Sequence, residues 1–145
     1  MLVIMRGPSG SGKSWIVEQL CRYHPFVVCS TDNYFMVDGE YKFDPTKLGE
    51  YHKKNQENVL SNLLIKQDVI VDNTNITYKE LSIYLAFAKT FGTPFFFLNA
   101  FTPSIRGNPK GVPDDVVNRH IERWEPDWVI LLKTMGYNPE WPIGD

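Results

Sequence analysis

One motif near the start of the sequence constrains the fold more than any other part of this chain of 145 residues. Residues 7–14 read Gly-Pro-Ser-Gly-Ser-Gly-Lys-Ser and match G-x-x-x-x-G-K-[ST] at every fixed position. The apolar residues 2–5 predict a buried strand before the motif, and residues 14–22 predict a helix after it. Such a unit directs the N–H groups of the loop and of the helix at an anion. The sequence therefore predicts a phosphate-binding loop.

The residues of this loop have distinct expected roles. Lys13 is expected to reach the β- and γ-phosphates of a nucleotide, and the Ser14 hydroxyl is expected to bind Mg²⁺. The backbone of the loop is expected to surround the phosphates, because glycine lets the chain approach an anion closely. The nucleotide-binding residues predicted in the motif are Gly7, Ser9, Gly10, Ser11, Gly12, Lys13 and Ser14.

Length, charge and cysteine content narrow the class of protein. We expect a single domain, 1–145, with a core of its own. The net charge of −2 gives no overall basic field, so any contact with nucleic acid must be local. The apolar neighbours of Cys21 and Cys29 predict buried thiols, and no apolar run approaches membrane-spanning length. We expect a cytoplasmic protein without membrane contact, and the sequence does not indicate its oligomeric state.

Alternating apolar runs predict a three-layer α/β fold with a parallel sheet of four or five strands and helices on both faces. Further strands are expected at 26–29, 69–71 and 94–98, with a fifth at 128–132, and the phenylalanines at 95–97 are expected in the core. Residues 46–64 predict a helix, and residues 35–45 predict a loop. Thr77 and Glu80 form a capping box for another helix, which Gly92 is expected to end. Prolines and basic residues predict a lid over 102–124.

Two carboxylates are expected at the edge of the sheet where ligands bind. Asp32 follows the second predicted strand, which we expect beside the phosphate loop, and Asp72 follows the third. Asp72 corresponds to the carboxylate that supports Mg²⁺ in P-loop proteins. Asp32 is the best candidate for a general base, and the alternative is a carboxylate that caps a turn.

Motifs that are absent from the sequence exclude some classes of P-loop enzyme. No N-K-x-D motif for reading guanine is present, which argues against a GTPase. Asn73 follows Asp72 where a mechanochemical ATPase would place a glutamate to activate water. Phosphoryl transfer to a hydroxyl needs positioning, a metal ion and a base for that hydroxyl. A kinase that uses ATP and Mg²⁺ therefore fits best.

An ordered set of blocks carries a more specific resemblance. Beyond the phosphate loop, these blocks are Ser-Thr-Asp-Asn-Tyr-Phe at 30–35, Tyr-Lys-Phe-Asp at 41–44, Tyr-His-Lys-Lys-Asn-Gln at 51–56, Val-Asp-Asn-Thr-Asn at 71–75 and Gly-Val-Pro at 111–113. The chain resembles the P-loop kinase domain of phage polynucleotide 5′-hydroxyl kinases and the related ATP-binding domain of eukaryotic NEDD-binding proteins. Only about the last twenty residues lie outside this resemblance.

The resemblance implies roles for particular residues. It implies that Asp32 is the general base and that Arg106 in the lid stabilises the transferring phosphoryl group. The chain departs from the family pattern at Gly107, so either Arg106 or Lys110 is the main lid cation. Asp72 is implied to hold magnesium-bound water or to contact substrate. The expected substrate-binding residues are Asp32, Tyr34, Asp72, Thr74 and Asn75, with Ser14 and Asp72 at the metal.

The acceptor of the phosphate stays open at this point. The resemblance implies the 5′-hydroxyl of a polynucleotide, at a single-stranded or end-of-strand position. A kinase of a nucleoside, nucleotide, modified base or other small molecule would share every catalytic residue. A nucleotide-binding module without turnover fits less well, because Lys13, Ser14 and Asp32 are all present. His52 matches a block of the family without an implied role.

Overall fold

The computed structural model describes residues 1–8, 10–100 and 114–140, and every structural statement below concerns these residues. Six strands lie in this part of the chain. In chain order they are β1 (Leu2–Arg6), β2 (Val27–Cys29), β3 (Met36–Val37), β4 (Glu40–Tyr41), β5 (Val69–Val71) and β6 (Phe95–Asn99). Four of them form a parallel sheet in the order β2-β5-β1-β6, whereas β3 and β4 pair as an antiparallel hairpin.

Helices cover both faces of the sheet. They are α1 (Lys13–Tyr23), α2 (Leu48–Leu64), α3 (Tyr78–Phe91), α4 (Asp114–Glu122) and α5 (Asp127–Thr134). Because side chains alternate along a strand, Val3 and Met5 of β1 pack against Val17 of α1. Leu2 and Ile4 point to the other face, where α2, α3 and α5 complete the larger core. The three-layer α/β fold is therefore confirmed, with a parallel sheet of four strands in the described residues.

Local sequence signals explain how α3 begins and ends. The backbone N–H of Thr77 donates to Glu80 Oε2 at 3.1 Å, as the capping box predicted. Gly92 adopts a φ of 62° at the carboxyl end, where a left-handed residue closes the last turn. Within the described ranges, no helix combines the length and the hydropathy that crossing a membrane requires.

Two predictions about apolar runs were wrong. Residues 128–132, predicted as a fifth strand, lie in α5, where Val129 and Ile130 are buried against α3 and Trp128 is 41% exposed. A short apolar run has no period that separates a strand from a buried helix. The phenylalanines at 95–97 were predicted in the core, but Phe96 is 54% exposed and Phe95 and Phe97 are only partly buried, because β6 is an edge strand of the described sheet.

Three smaller predictions also need correction. Residues 35–45, predicted as a loop, contain the hairpin of β3 and β4, which turns at Asp38 and Gly39 with positive φ at both residues. The helix predicted over 46–64 begins at Leu48, after a 3₁₀ turn over Pro45–Lys47. Cys29 is buried as expected, and burial raises its thiol pKa to about 11, but Cys21 is exposed.

Candidate active site

The phosphate loop connects the carboxyl end of β1 to the first turn of α1. Gly7 donates its N–H to the Thr74 carbonyl oxygen at 2.9 Å, which holds the loop against the segment after β5. A Cβ on Gly7 would lie 2.7 Å from the Ala100 carbonyl oxygen, so a larger residue would displace backbone. Gly12 has a φ of 94°, in the left-handed region that favours glycine. The loop therefore needs glycine at both of these motif positions.

Two side chains of the loop fit the binding of an anion. Lys13 Nζ donates to the Gly7 and Pro8 carbonyl oxygens at 2.9 Å each, which places its ammonium group against the loop backbone. The hydroxyl oxygen of Ser11 is buried and has no hydrogen-bond partner among the described residues. A buried hydroxyl without a partner is costly, and a phosphate oxygen would satisfy it. Ser14 lies in the first turn of α1, where the helix dipole favours negative charge.

Asp72 and Asp32 lie at the same edge of the sheet as the phosphate loop. Asp72 directly follows β5, the strand beside β1, and donates its backbone N–H to the Cys29 carbonyl oxygen at 2.9 Å. Asp32 follows β2 within a 3₁₀ turn over Thr31–Phe35. The expectation that the strand of Asp32 lies beside the phosphate loop was wrong, because β5 lies between β2 and β1. Two strand spacings separate the two strand ends by roughly 10 Å.

The hairpin of β3 and β4 contacts the Asp32 carboxylate. The Tyr41 hydroxyl donates to Asp32 Oδ1 at 3.2 Å. Burial raises the pKa of Tyr41 to about 12, and the charge of Asp32 and this hydrogen bond add to the effect. The phenol is therefore protonated, and can donate, throughout the neutral range of pH.

Asn73 and His52 connect the Asp32 turn to its neighbours. Asn73 Oδ1 accepts the backbone N–H of Thr31 at 3.0 Å, which joins the exits of β2 and β5. The Thr31 hydroxyl and His52 Nδ1 are 3.0 Å apart, within hydrogen-bonding distance. Partial burial lowers the pKa of His52, whereas the charges of Glu80 and Asp32 raise it. The position of Asp32 is thus fixed by α2 and by the β5 exit as well as by its own strand.

The other predicted acceptor residues differ in exposure. Tyr34 is partly exposed, and its ring centroid lies 5.7 Å from that of Tyr51. Asn75 is 2% exposed, and its amide donates to the Met5 carbonyl oxygen at 2.8 Å. Asn75 also has a positive φ of 47°, which asparagine tolerates better than most residues. It fastens the β5 exit to β1, and a contact with substrate stays a prediction for it, as for Tyr34 and Thr74.

The sequence interpretation missed Arg6, the last residue of β1. Its guanidinium is fully buried and donates to the carbonyl oxygens of Asn75 at 2.9 Å and of Ile76 at 3.0 Å. It also donates to the carboxylate of Asp127 at the start of α5. Burial lowers the pKa of Arg6, and the charge of Asp127 opposes this effect, so the group stays charged.

Arg6 also contacts the segment between α4 and α5. The guanidinium carbon lies 4.3 Å from the centroid of the Trp124 ring, and Arg6 donates to the Glu125 carbonyl oxygen as well. Burial and the charge of Lys13 lower the pKa of His120 in α4, whereas the charge of Glu80 raises it. The only sequence signal for Arg6 was its place directly before the motif. Arg6 thus joins the base of the phosphate loop to the connection between α4 and α5.

Arg6→Met is expected to lower the free energy of unfolding by about 3–5 kcal/mol, because it removes the positive charge that pairs with Asp127 and the donors that the guanidinium supplies to buried carbonyl oxygens. Urea unfolding followed by circular dichroism measures this. Arg123→Met is the matched control, since Arg123 is 55% exposed and pairs with Glu80 at 3.4 Å. The control should cost less than about 1 kcal/mol. Equal losses for the two variants would contradict the role given to Arg6.

Several predicted site residues lie outside the described residues. These are Ser9 in the phosphate loop and both candidate lid cations, Arg106 and Lys110. The lid predicted over 102–124 is described only from residue 114, where α4 begins. Among the described residues, no group of three His, Cys, Asp or Glu side chains is arranged to hold a metal ion.

Comparisons with known proteins identify the family of this chain. A family model described as an AAA domain matches residues 2–105. The human protein NEDD4-binding protein 2 is 34% identical over 134 residues, which cover 86% of this chain and 8% of that protein. This chain thus spans a small part of that relative.

Solved structures share the fold. A chain of the Pnkp1/Rnl/Hen1 RNA repair complex matches 99% of this chain and 50% of its own length, with a TM-score of 0.70 and 18% identity. A gluconokinase from Sinorhizobium meliloti 1021 matches 86% of this chain and 74% of its own length, with a TM-score of 0.54 and 13% identity. At these identities the likeness concerns the fold alone. The family match covers most of the chain and contains the phosphate loop, Asp32 and Asp72. The chain therefore belongs to the AAA domain family, and it has a P-loop kinase-like fold.

Proposed function

We propose that this chain is an ATP-dependent phosphotransferase that moves the γ-phosphate to a hydroxyl group, with the 5′-hydroxyl of a polynucleotide as acceptor. One observation carries the proposal. The phosphate loop, Asp72 and Asp32 lie in this spatial order along one edge of the sheet, on three neighbouring strands. The separation of roughly 10 Å between the ends of β1 and β2 leaves room for a γ-phosphate and an acceptor between them.

The residues at the β1 end fit a nucleotide triphosphate. The backbone N–H groups of the loop and the start of α1 bind its phosphates, and the unpartnered Ser11 hydroxyl donates to a phosphate oxygen. The Lys13 ammonium turns from the Gly7 and Pro8 carbonyl oxygens to the β- and γ-phosphates. Ser14 and Asp72 would hold Mg²⁺, which usually takes few protein ligands beside phosphate oxygens and neutralises charge there.

Asp32 supplies the base at the other end of the site. Its carboxylate accepts the proton of the acceptor hydroxyl as the hydroxyl oxygen forms a bond to the γ-phosphorus. The bond between that phosphorus and the oxygen that bridges to the β-phosphate breaks, and ADP leaves with the electron pair. Tyr41 and the turn fastened by Asn73 keep the carboxylate in place for this step.

Two observations support a polynucleotide as the acceptor. The blocks at 30–35, 41–44 and 71–75 resemble those of polynucleotide 5′-hydroxyl kinases, and the structure with a TM-score of 0.70 comes from an RNA repair complex. A small-molecule acceptor is the alternative. The net charge of −2 favours this alternative, because a protein without a basic field is not expected to adhere strongly and nonspecifically to nucleic acid.

An acceptor panel tests the proposal. The protein is incubated with γ-labelled ATP, Mg²⁺ and, in separate reactions, single-stranded DNA and RNA with a 5′-hydroxyl, nucleosides and proteins. We expect label on the 5′-hydroxyl strands. Label on nucleosides alone would select the small-molecule kinase. ATP binding without label on any acceptor would instead select the nucleotide-binding module.

The lid cation is expected to act mainly in the transition state. Arg106→Ala should lower kcat about a hundredfold or more while changing ATP binding much less, because a guanidinium stabilises charge that develops during transfer. Steady-state kinetics and nucleotide titration measure the two effects. Lys110→Ala is the comparison, and a larger loss there would identify Lys110 as the main clamp.

A further inference from the structure

We propose that the exposed rings of Tyr41 and Phe43 form the subsite that stacks the terminal base of the acceptor, directly beside the catalytic carboxylate. This inference rests on the proposed phosphoryl transfer and deepens it. It gives a role to the block at 41–44, which the proposed mechanism uses only through the Tyr41 hydroxyl.

The two rings rest on a buried aromatic base. Phe35 is 2% exposed, and its ring centroid lies 6.2 Å from that of Tyr41 and 5.1 Å from that of Phe43. On its other side Phe35 packs against Tyr51 of α2, with 4.7 Å between ring centroids. The Lys42 N–H donates to the Phe35 carbonyl oxygen at 2.9 Å, which fixes the segment between the two rings.

The outer surfaces of these rings face solvent. Tyr41 is 39% exposed and Phe43 is 53% exposed, although Phe35 and Tyr51 already form the packed layer beneath them. Both rings contact the ring of Phe35, so they lie side by side and form one surface. A planar base stacks well on such rings, and the contact tolerates any base because every base has a flat face.

The position of Tyr41 connects this surface to the chemistry. Its hydroxyl reaches Asp32 Oδ1 at 3.2 Å, so a base on the ring would place the attached sugar beside the carboxylate. A 5′-hydroxyl is the part of a terminal nucleotide that must meet the general base. Tyr41 thus acts as a positioning residue for Asp32 through its hydroxyl and as a binding residue through its ring.

The charges around the rings favour stacking over phosphate contacts. Four lysines and four carboxylates lie between residues 36 and 54. Two of these lysines already pair with carboxylates, Lys42 with Glu40 at 4.0 Å and Lys54 with Glu50 at 3.6 Å. A surface without net positive charge releases few counterions, so the acceptor KM should depend weakly on salt.

A pair of acceptors tests the subsite. One is an oligonucleotide with an ordinary 5′-terminal nucleotide, and the other has an abasic terminal residue that keeps the 5′-hydroxyl. For the wild-type protein we expect the abasic acceptor to have an acceptor KM about five- to a hundredfold higher. Phe43→Leu and Tyr41→Leu should raise the KM of the ordinary acceptor and remove most of this difference, because the base has lost its ring.

Three variants separate stacking from structural effects. Tyr41→Phe keeps the ring, so its acceptor KM should equal the wild-type value, and only its kcat should be lower. Tyr23→Leu removes an aromatic ring that is 90% exposed elsewhere and should change neither constant. An unchanged preference for the base in both Phe43→Leu and Tyr41→Leu would overturn the subsite while leaving the proposed transfer intact.

A binding measurement decides the inference without turnover. An oligonucleotide that carries a fluorescent aminopurine at its 5′ end is titrated with protein, and stacking quenches its emission. We expect quenching by the wild-type protein and by Tyr41→Phe, and much weaker quenching by Phe43→Leu. The proposed acceptor is wrong if no 5′-hydroxyl strand is phosphorylated. Equal quenching by the wild-type protein and by Phe43→Leu would overturn the subsite, whatever the result of the phosphorylation assay.

Discussion

Asp32→Asn is expected to leave ATP binding intact and to lower phosphoryl transfer by about two to four powers of ten, the usual range for loss of a general base. Asparagine keeps the size of the side chain and can still accept the hydrogen bond from Tyr41. It cannot take the proton from the acceptor hydroxyl. Single-turnover transfer from γ-labelled ATP measures the loss, and nucleotide titration measures the binding.

Asp38→Asn is the matched control for this variant. Asp38 lies in the hairpin turn with a φ of 50°, a conformation that asparagine also adopts readily. The control removes the same charge from the same segment and should transfer phosphate at nearly the wild-type rate. Asp32→Asn with an equally small loss would show that Asp32 only fastens its turn, and Asp72 would become the candidate for orienting the acceptor.

Lys13→Ala is expected to remove most ATP affinity or turnover. Its ammonium is a positive charge beside the phosphate site, and water cannot replace it in a closed site. The fold should survive, because Lys13 is not part of either hydrophobic core cluster and its ammonium donates to the carbonyl oxygens of the loop.

Circular dichroism and titration with a fluorescent ATP analogue check this variant. Lys89→Ala is the control, since Lys89 is an exposed residue in the last turn of α3. That substitution should leave affinity unchanged. Wild-type turnover in Lys13→Ala would contradict the assignment of the phosphate loop.

Local signals were strong enough to predict the core of the fold. Apolar residues on both sides of the motif predicted β1 and α1, and the run at 69–71 predicted β5 and the exit that carries Asp72. Thr77, Glu80 and Gly92 predicted the ends of α3, since capping chemistry depends on neighbouring residues alone. These features are the ones that a few adjacent side chains determine.

Long-range features could not be predicted in the same way. The order of the strands places β5 between β1 and β2, and no residue near Asp32 encodes that order. Residues 128–132 became a helix because Pro126 and Asp127 begin it and α3 covers its buried face. The partners of Arg6 lie 69 to 121 residues away along the chain, so only the folded chain brings them together.

One measurement tests the central claim most directly, namely the stoichiometry of the products. Wild-type protein is mixed with γ-labelled ATP, Mg²⁺ and a 5′-hydroxyl oligonucleotide, and ADP and labelled 5′-phosphate are counted over a single turnover. We predict one labelled 5′-phosphate for each ADP, with both products lost together in Asp32→Asn. ADP that accumulates without labelled acceptor, at the same rate in wild type and Asp32→Asn, would contradict a kinase in which Asp32 is the base.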